Sequence, residues 1–406
     1  MACKGPLSGY RILDMTQFES GTVCTETLAW FGAEVLKVER PVKGELGRYT
    51  QAEPGIDSYG FLVMNMNKKS ITCNAKAPEG LALLKKLVAK CDVIVENMGP
   101  GSMDRLGLTY EACKEINPLI IYASLKGFAQ DGPYRDYPAF DPIATHTGVL
   151  VSVTGLPDQP IKAGISVADS GTGTALAMSI IAALLQRERE GVGQRVDIAM
   201  QDFMIGLSRS QWEPYYANGR PNRRVGNGMP LEDVAPSNTY PCKPFGPNDY
   251  VHIYCSRHPG SRQWDELCDV IGRPDLKQDV CPEMATPHER YLHREICDAA
   301  ITEWLKDYDK ITAMDILAKA DIPAGAILDC DDITNDPQYL ERGMMVEIDH
   351  PQRGKVKLPG FAPRLSENHI EYEPSPALGG SNDEIYGGLL GLSAEELAEL
   401  KEKKVI

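Results

Sequence analysis

Over the first two hundred residues, short apolar stretches alternate with longer ones whose apolar positions recur every three or four residues. YRILDMT predicts a strand, residues 21–31 a helix and AEVLKVE a second strand, the opening of a right-handed crossover unit. The alternation returns in PEGLALLKKLVAKC (helix), DVIVEN (strand), SMDRLGLTYEACKEIN (helix), LIIYASLKG (strand), residues 173–190 (helix) and QRVDIAM. An α/β domain with a mainly parallel, helix-covered sheet is the expectation.

Between residues 218 and 249, ANGRPNRRVGNGMP and KPFGPND crowd Gly, Pro and Asn together, the mark of turns and a domain boundary. YVHIYCSR then reads as a strand, and SRQWDELCDVIG, HERYLHREICDAAITEWL and KITAMDILAKA as helices. MMVEIDHP and KVKLPGF suggest a hairpin, and Ser393 with Glu396 forms a capping box before the helix AEELAELKEKK. The expected division is a large domain over 1–200, a linker over 201–225, a small α+β domain over 226–328 and a tail over 329–406.

A length of 406 residues suits two or three domains. With 43% hydrophobic and 24% charged residues, the chain lies far from the disordered class. A net charge of -15 without a run of Lys or Arg argues against nucleic acid or an anionic membrane as partner. An anionic ligand must then find a local site. No apolar h-region opens the sequence, and the longest apolar stretch, 175–185, reads as too short for a membrane span, so a cytoplasmic location is expected. Eleven scattered cysteines, an odd number with no C-x-x-C pair, read as reduced and structural, with no metal site.

For chemistry, IKAGISVADSGTGTALAMSIIAALL places Asp169 after a strand-like run and before a Gly-containing helix start. Asp is a favoured helix N-cap. It is also a nucleophile that a helix N-terminus would keep ionised. Gly171 and Gly173 give only G-x-G, so the dinucleotide fingerprint is missing. GxSxG, HExxH and the phosphate-binding loop are absent as well.

The strings RILDMTQFESGT, LAWFGAEVLKVERP, NKKSITCNAKAPEG, DVIVENMGPGSMDRLGL, ASLKGFAQDGPYRD, AFDPIATHTG, VADSGTGTALA and GVGQRVDIAMQD, followed by PSNTYPC, DIPAGAIL, NDPQYLERGMM and GLSAEELAELK, resemble successive blocks of the family III CoA-transferases. That group includes formyl-CoA, carnitine and bile-acid CoA-transferases. The resemblance implies a Rossmann-like large domain to which residues 329–406 return, a small domain on two linkers, and two interlocked subunits. It implies coenzyme A or acyl-CoA as substrate with a small carboxylic acid, no permanently bound cofactor, and Asp169 as a nucleophile passing through anhydride and thioester intermediates. Carried over block by block, the coenzyme A contacts would be Arg40, Asn97, Met98, Arg105, Lys126 and Phe140. Backbone N–H groups near Gly171 would support an oxyanion.

The chain departs from the family's pattern in two places. Gln17 and Glu19 precede Ser20, Gly21 and Thr22, where the family has a small residue, Gly and Pro, so Gln17 and Glu19 become candidate substrate contacts. Only Gly226 and Gly228 stand where the formyl-CoA enzymes carry a run of glycines in a mobile lid, which points away from oxalate and formyl-CoA. One alternative is a racemase of the α-methylacyl-CoA type, which needs a second acid/base opposite Asp169. Phe140 stands where the racemases have His, and His146 is offset toward the next helix. The other alternative is a non-catalytic CoA-binding protein.

Overall fold

The computed structural model describes residues 5–50, 53–229, 233–255, 258 and 261–406. Three parts of the sequence reading lie outside the described residues: the first cysteine, Cys3; Ser256 and Arg257 at the end of the expected strand YVHIYCSR; and Pro230–Glu232 of the glycine-poor segment. The chain forms two compact units. The first comprises residues up to Leu150, Ala163–Ser208 and Gln338–Ile406, and the second Val151–Lys162 and Arg209–Pro337.

The first unit is built on six parallel strands: β1 (Arg11–Met15), β2 (Glu34–Glu39), β3 (Lys69–Thr72), β4 (Val93–Glu96), β5 (Ile121–Lys126) and β6 (Gln194–Ala199), in the order β3-β2-β1-β4-β5-β6. Its main helices are α1 (Ser20–Trp30), α2 (Pro78–Val88), α3 (Tyr110–Ile116), α4 (Asp141–Thr147), α5 (Val167–Glu190) and α6 (Met200–Leu207). Successive strand residues point to opposite faces. Ile12, Val35, Val93 and Ile121 therefore meet Cys24 and Leu28 of α1 and Leu176 and Ile180 of α5. Leu13, Leu36, Ile94 and Tyr122 meet Leu83, Leu84 and Leu87 of α2, closed by Ile385, Tyr386 and Leu397 from the tail. Burial on both faces explains why the strands read as continuous apolar runs.

In the second unit β7 (Ser237–Pro241), β8 (Tyr250–Tyr254) and β9 (Ala324–Ala326) pair antiparallel in the order β9-β8-β7. They pack with α7 (Gln263–Val270), α8 (Arg294–Leu305) and α9 (Lys310–Lys319) around Tyr240, Val251, Ile253, Trp264, Ile301 and Leu317. In the tail, β10 (Met345–His350) and β11 (Gly354–Pro359) form the expected hairpin. The Ser393–Glu396 capping box opens α10 (Ala394–Glu402).

Several boundaries differ from the sequence reading. Residues 201–208 of the expected linker belong to the first unit because α6 packs tightly there: a Cβ on Gly148 would lie 2.3 Å from the Met204 Cβ. Residues 209–225 join the second unit together with 151–162. Arg224 donates to the carbonyls of Leu156 and Pro157, each at 2.9 Å. The helix expected over SMDRLGLTYEACKEIN breaks at Gly107, whose φ of 67° ends the first turn, and Thr109 caps α3. HERYLHREICDAAITEWL likewise divides at His293. α5 begins at Val167, six residues earlier than expected. By length and composition α5 is long and apolar enough to cross a membrane, which the reading of 175–185 missed. Here it packs against α1 and the sheet in the core of the first unit.

Candidate active site

In an open parallel sheet, the crevice for a ligand opens at the carboxyl ends of the strands where their order reverses. Here that point lies between β1 and β4. The turns leaving these two strands, with that leaving β5, line a cleft of about 290 Å³. The turn after β1 is fixed from below: the Asp14 carboxylate accepts from the Thr16 amide at 2.9 Å and the Thr25 hydroxyl at 2.7 Å. From the side, the Asn97 amide accepts from Gln17 N at 2.9 Å and donates to Gln17 O at 2.8 Å. Phe18 consequently sits at φ 59°, a left-handed conformation sparse for an aromatic residue.

Gly173 lets α5 meet the N-terminal end of α1, where a Cβ would lie 2.2 Å from the Ser20 carbonyl oxygen, and Gly21 lets α1 lie close against the β1 turn, where a Cβ would lie 2.5 Å from Thr16 Cγ2. This approach produces a crossed pair of contacts. The Ser170 hydroxyl donates to Glu19 Oε1 at 2.6 Å, while the Ser20 hydroxyl hydrogen-bonds the Asp169 carboxyl. Both carboxylates face the cleft.

Asp169 is the third residue of α5 rather than its N-cap. Ser166 occupies the cap position without a side-chain bond. The free amides are instead met by buried Asp141 at the start of α4, whose Oδ1 accepts from Ala168 N at 2.8 Å and Asp169 N at 3.3 Å. The expectation that the helix terminus keeps Asp169 readily ionised is also overturned. Burial, then the negative charges of Glu19 and Asp141, raise its carboxyl to about 7, against the lowering effect of Ser20. No ion pair reaches Asp169, Glu19 or Asp141 among the described residues.

Gln17, Glu19, Asn97, Met98, Lys126, Phe140 and Asp169 all line this one cleft. Within it, Asn97 is committed to holding the β1 turn. Lys126 donates to Glu96 Oε2 and to the Met98 carbonyl, both at 2.6 Å. Phe140 is 68% exposed at the mouth. The cleft does not gather the remaining candidates. Arg40 is exposed beyond β2, donating to the Gly44 carbonyl, and Arg105 is exposed, donating to Ser102 Oγ at 2.9 Å. Gly171 lies past the free amides of α5, and a Cβ there would meet the Phe203 ring at 2.5 Å, so its glycine answers a packing need. Gly226 and Gly228 lie in the second unit; the Gly226 amide donates to the Gly155 carbonyl.

Sequence reasoning missed Asp141 as the cap of α5, though it stands in the AFDPIA block, and it missed Ser20, Ser170 and the aromatic wall. Phe128 packs edge-on against Tyr134 and Tyr137. Arg135, beside them, lines the mouth and pairs with exposed Asp136 at 3.3 Å. His146 does not line the cleft; its Nδ1 faces the Pro142 carbonyl. No His/Cys/Asp/Glu cluster suited to a metal occurs among the described residues.

The profile of CoA-transferase family III matches residues 7–382. A formyl-CoA:oxalate CoA-transferase of Rhodopseudomonas palustris is 40% identical, with 97% of this chain and 96% of the relative covered. One from Streptomyces coelicolor is also 40% identical, over 98% and 99%. Among solved structures, a CAIB/BAIF family protein from Brucella suis superposes with a TM-score of 0.83 at 32% identity, covering 95% of this chain and 99% of its own. Rv3272 from M. tuberculosis gives 0.78 at 26%, covering 94% and 98%. With the family's profile matched over nearly the whole chain, and a cleft at the switch point that presents the acid of the VAD block, this chain belongs to CoA-transferase family III and is an enzyme of that type.

Proposed function

We propose that the protein moves coenzyme A from an acyl-CoA donor to a carboxylic acid through covalent intermediates on Asp169. The observation that carries this reading is the position of Asp169: a half-buried carboxyl lining the switch-point cleft, with no ion pair to neutralise it among the described residues. An Asp169 oxygen attacks the thioester carbonyl, and the C–S bond breaks to give a mixed anhydride and CoA thiolate. The thiolate then attacks the Asp169 carbonyl carbon, releasing the donor's acid and leaving an aspartyl-CoA thioester. The acceptor carboxylate attacks that carbon, forming a second anhydride and freeing the thiolate. Thiolate attack on the acceptor's acyl carbon yields the new acyl-CoA and restores Asp169. Anhydrides survive only where water is excluded, a role we assign in part to the second unit in an interlocked homodimer acting in the cytoplasm.

Met98 and Phe140, which line the cleft, remain proposed contacts for coenzyme A, with Arg40 and Arg105 the outlying cations for its nucleotide. The names of the relatives bring formyl-CoA and oxalate back as donor and acceptor to be assayed, despite the glycine-poor segment around Gly226. The racemase reading has no support at Phe140, which cannot carry a proton. The test is to incubate the enzyme with acyl-CoA, add hydroxylamine or borohydride, and analyse the peptide containing VADSGTGTALAMS by mass spectrometry. Modification at Asp169 supports the scheme, and modification of another acid with Asp169 untouched overturns it.

A further inference from the structure

The charges around Asp169 are one-sided. Glu19 and Asp169 both line the cleft, and Asp141 lies buried behind them as the cap of α5. Of the two cations in the lining, Lys126 is spent on Glu96 and the Met98 carbonyl, and Arg135 stands at the mouth with its side chain 65% exposed, beside Asp136. Glu19 cannot readily swing away. Its backbone is set by the turn that Asp14 and Asn97 hold, and its carboxylate accepts from Ser170, the neighbour of Asp169 on α5. Once Asp169 is acylated its own charge is gone, and Glu19 is the acid left facing the incoming acceptor.

We infer that Glu19 is a specificity-determining residue that keeps a second negative charge out of the space beside Asp169, so that the enzyme favours acceptor acids carrying one carboxylate over those with a second anionic group next to the reacting one. This rests on the Asp169 mechanism proposed above and names its acceptor class. Like charges held close in a partly desolvated cleft repel strongly, and specificity is often built from such repulsion. Phe18, Met98, Phe128, Phe140 and Met200 add apolar surface to the lining, and its polar side chains near the two acids, Gln17, Ser20 and Asn97, carry no positive charge to offer a second carboxylate.

Oxalate and its monoamide, oxamate, are nearly the same shape and differ by one charge, so they isolate the effect. With the wild-type enzyme and one acyl-CoA donor, kcat/KM for oxamate should exceed that for oxalate by about 10- to 100-fold. In Glu19→Gln that ratio should fall toward one. The acid limb of the pH–rate profile should also move below pH 7, since Glu19 is one of the two charges that raise Asp169 and Asp141 remains. A purely structural role for Glu19 would lower both acceptors together and leave the limb in place. Equal use of both acids by the wild-type enzyme, or a preference for oxalate, overturns the inference; this arm needs no variant and stands even if Glu19→Gln fails to fold. Asp169 labelling by acyl-CoA, run in parallel, separates the two levels. Labelling with no charge discrimination sinks only the role of Glu19, whereas no labelling with any donor sinks the covalent scheme itself.

Discussion

Asp14 and Asp169 are aspartates in the same unit, and their surroundings treat charge in opposite ways. Asp14, fully buried at the end of β1, sits among cations: Lys68 lies 3.3 Å away, and Lys37, itself paired with Glu45 at 2.6 Å, stands close by. Burial alone would push its carboxyl up. Lys68, Lys37 and the hydroxyls of Thr16 and Thr25 outweigh that and hold it below the ordinary carboxylate range. Next door, Arg48 clamps Glu39 with Nε and Nη2, both at 2.7 Å. Asp169 has burial without cations and two acids for neighbours, and it rises to about 7. Matched charge makes a pedestal that fixes the β1 turn. Unmatched charge leaves a carboxyl whose proton is easily exchanged near neutrality, the usual condition of a reacting group.

If this contrast is right, replacing each aspartate or its partner should act on a different property. The largest effect is expected from Asp169→Ala, which removes the proposed nucleophile and should cut CoA exchange between labelled acids about a thousandfold or more, with the far-UV circular dichroism spectrum unchanged. Lys68→Met should instead strike folding. It leaves the buried Asp14 carboxylate short of its nearest cation, and loss of one partner of a buried pair costs about 3–5 kcal/mol, measurable by urea denaturation.

Asp169→Asn sharpens the comparison through pH. The folded chain holds the Asp169 proton to about pH 7, against an ordinary value of 3.8. Its stabilising contribution is therefore complete below about pH 3.8 and is lost as pH rises through about 7. At pH 8.5 the asparagine variant should be more stable than the wild type by about 1–3 kcal/mol, and the gap should narrow steadily as pH falls below about 7 and close only near pH 3.8. The wild-type pH–rate profile should rise through about pH 7 as the nucleophile ionises. The smallest change is expected from Asp141→Asn. Its amide oxygen keeps the cap on α5, so stability should shift by less than about 1 kcal/mol. The acid limb of activity should nonetheless move below 7, because one of the two acids raising Asp169 is neutralised.

Much of the fold was legible because its signals are local. The strand–helix alternation from Tyr10 to Met200, the hairpin at Met345–Pro359 and the capping box at Ser393 each rest on neighbours in sequence. β3 escaped notice because KSIT is only four residues long between polar flanks. The break at Gly107 escaped because the apolar period continues across it while the backbone does not.

For the site, residue type and block resemblance were enough to single out Asp169, Glu19, Gln17, Asn97, Met98, Lys126 and Phe140, which the fold brings to one cleft. What each does there was decided only by the tertiary structure. Asp141 caps a helix that starts 26 residues further on, Ser20 and Ser170 cross-link two helix ends, and Asn97 is bound to the backbone of Gln17 across 80 positions. The ionisation of Asp169 follows from that assembly as well. A carboxyl's affinity for its proton depends on water and charge within a few ångströms, and nothing in the order of residues along the chain says which charges those will be.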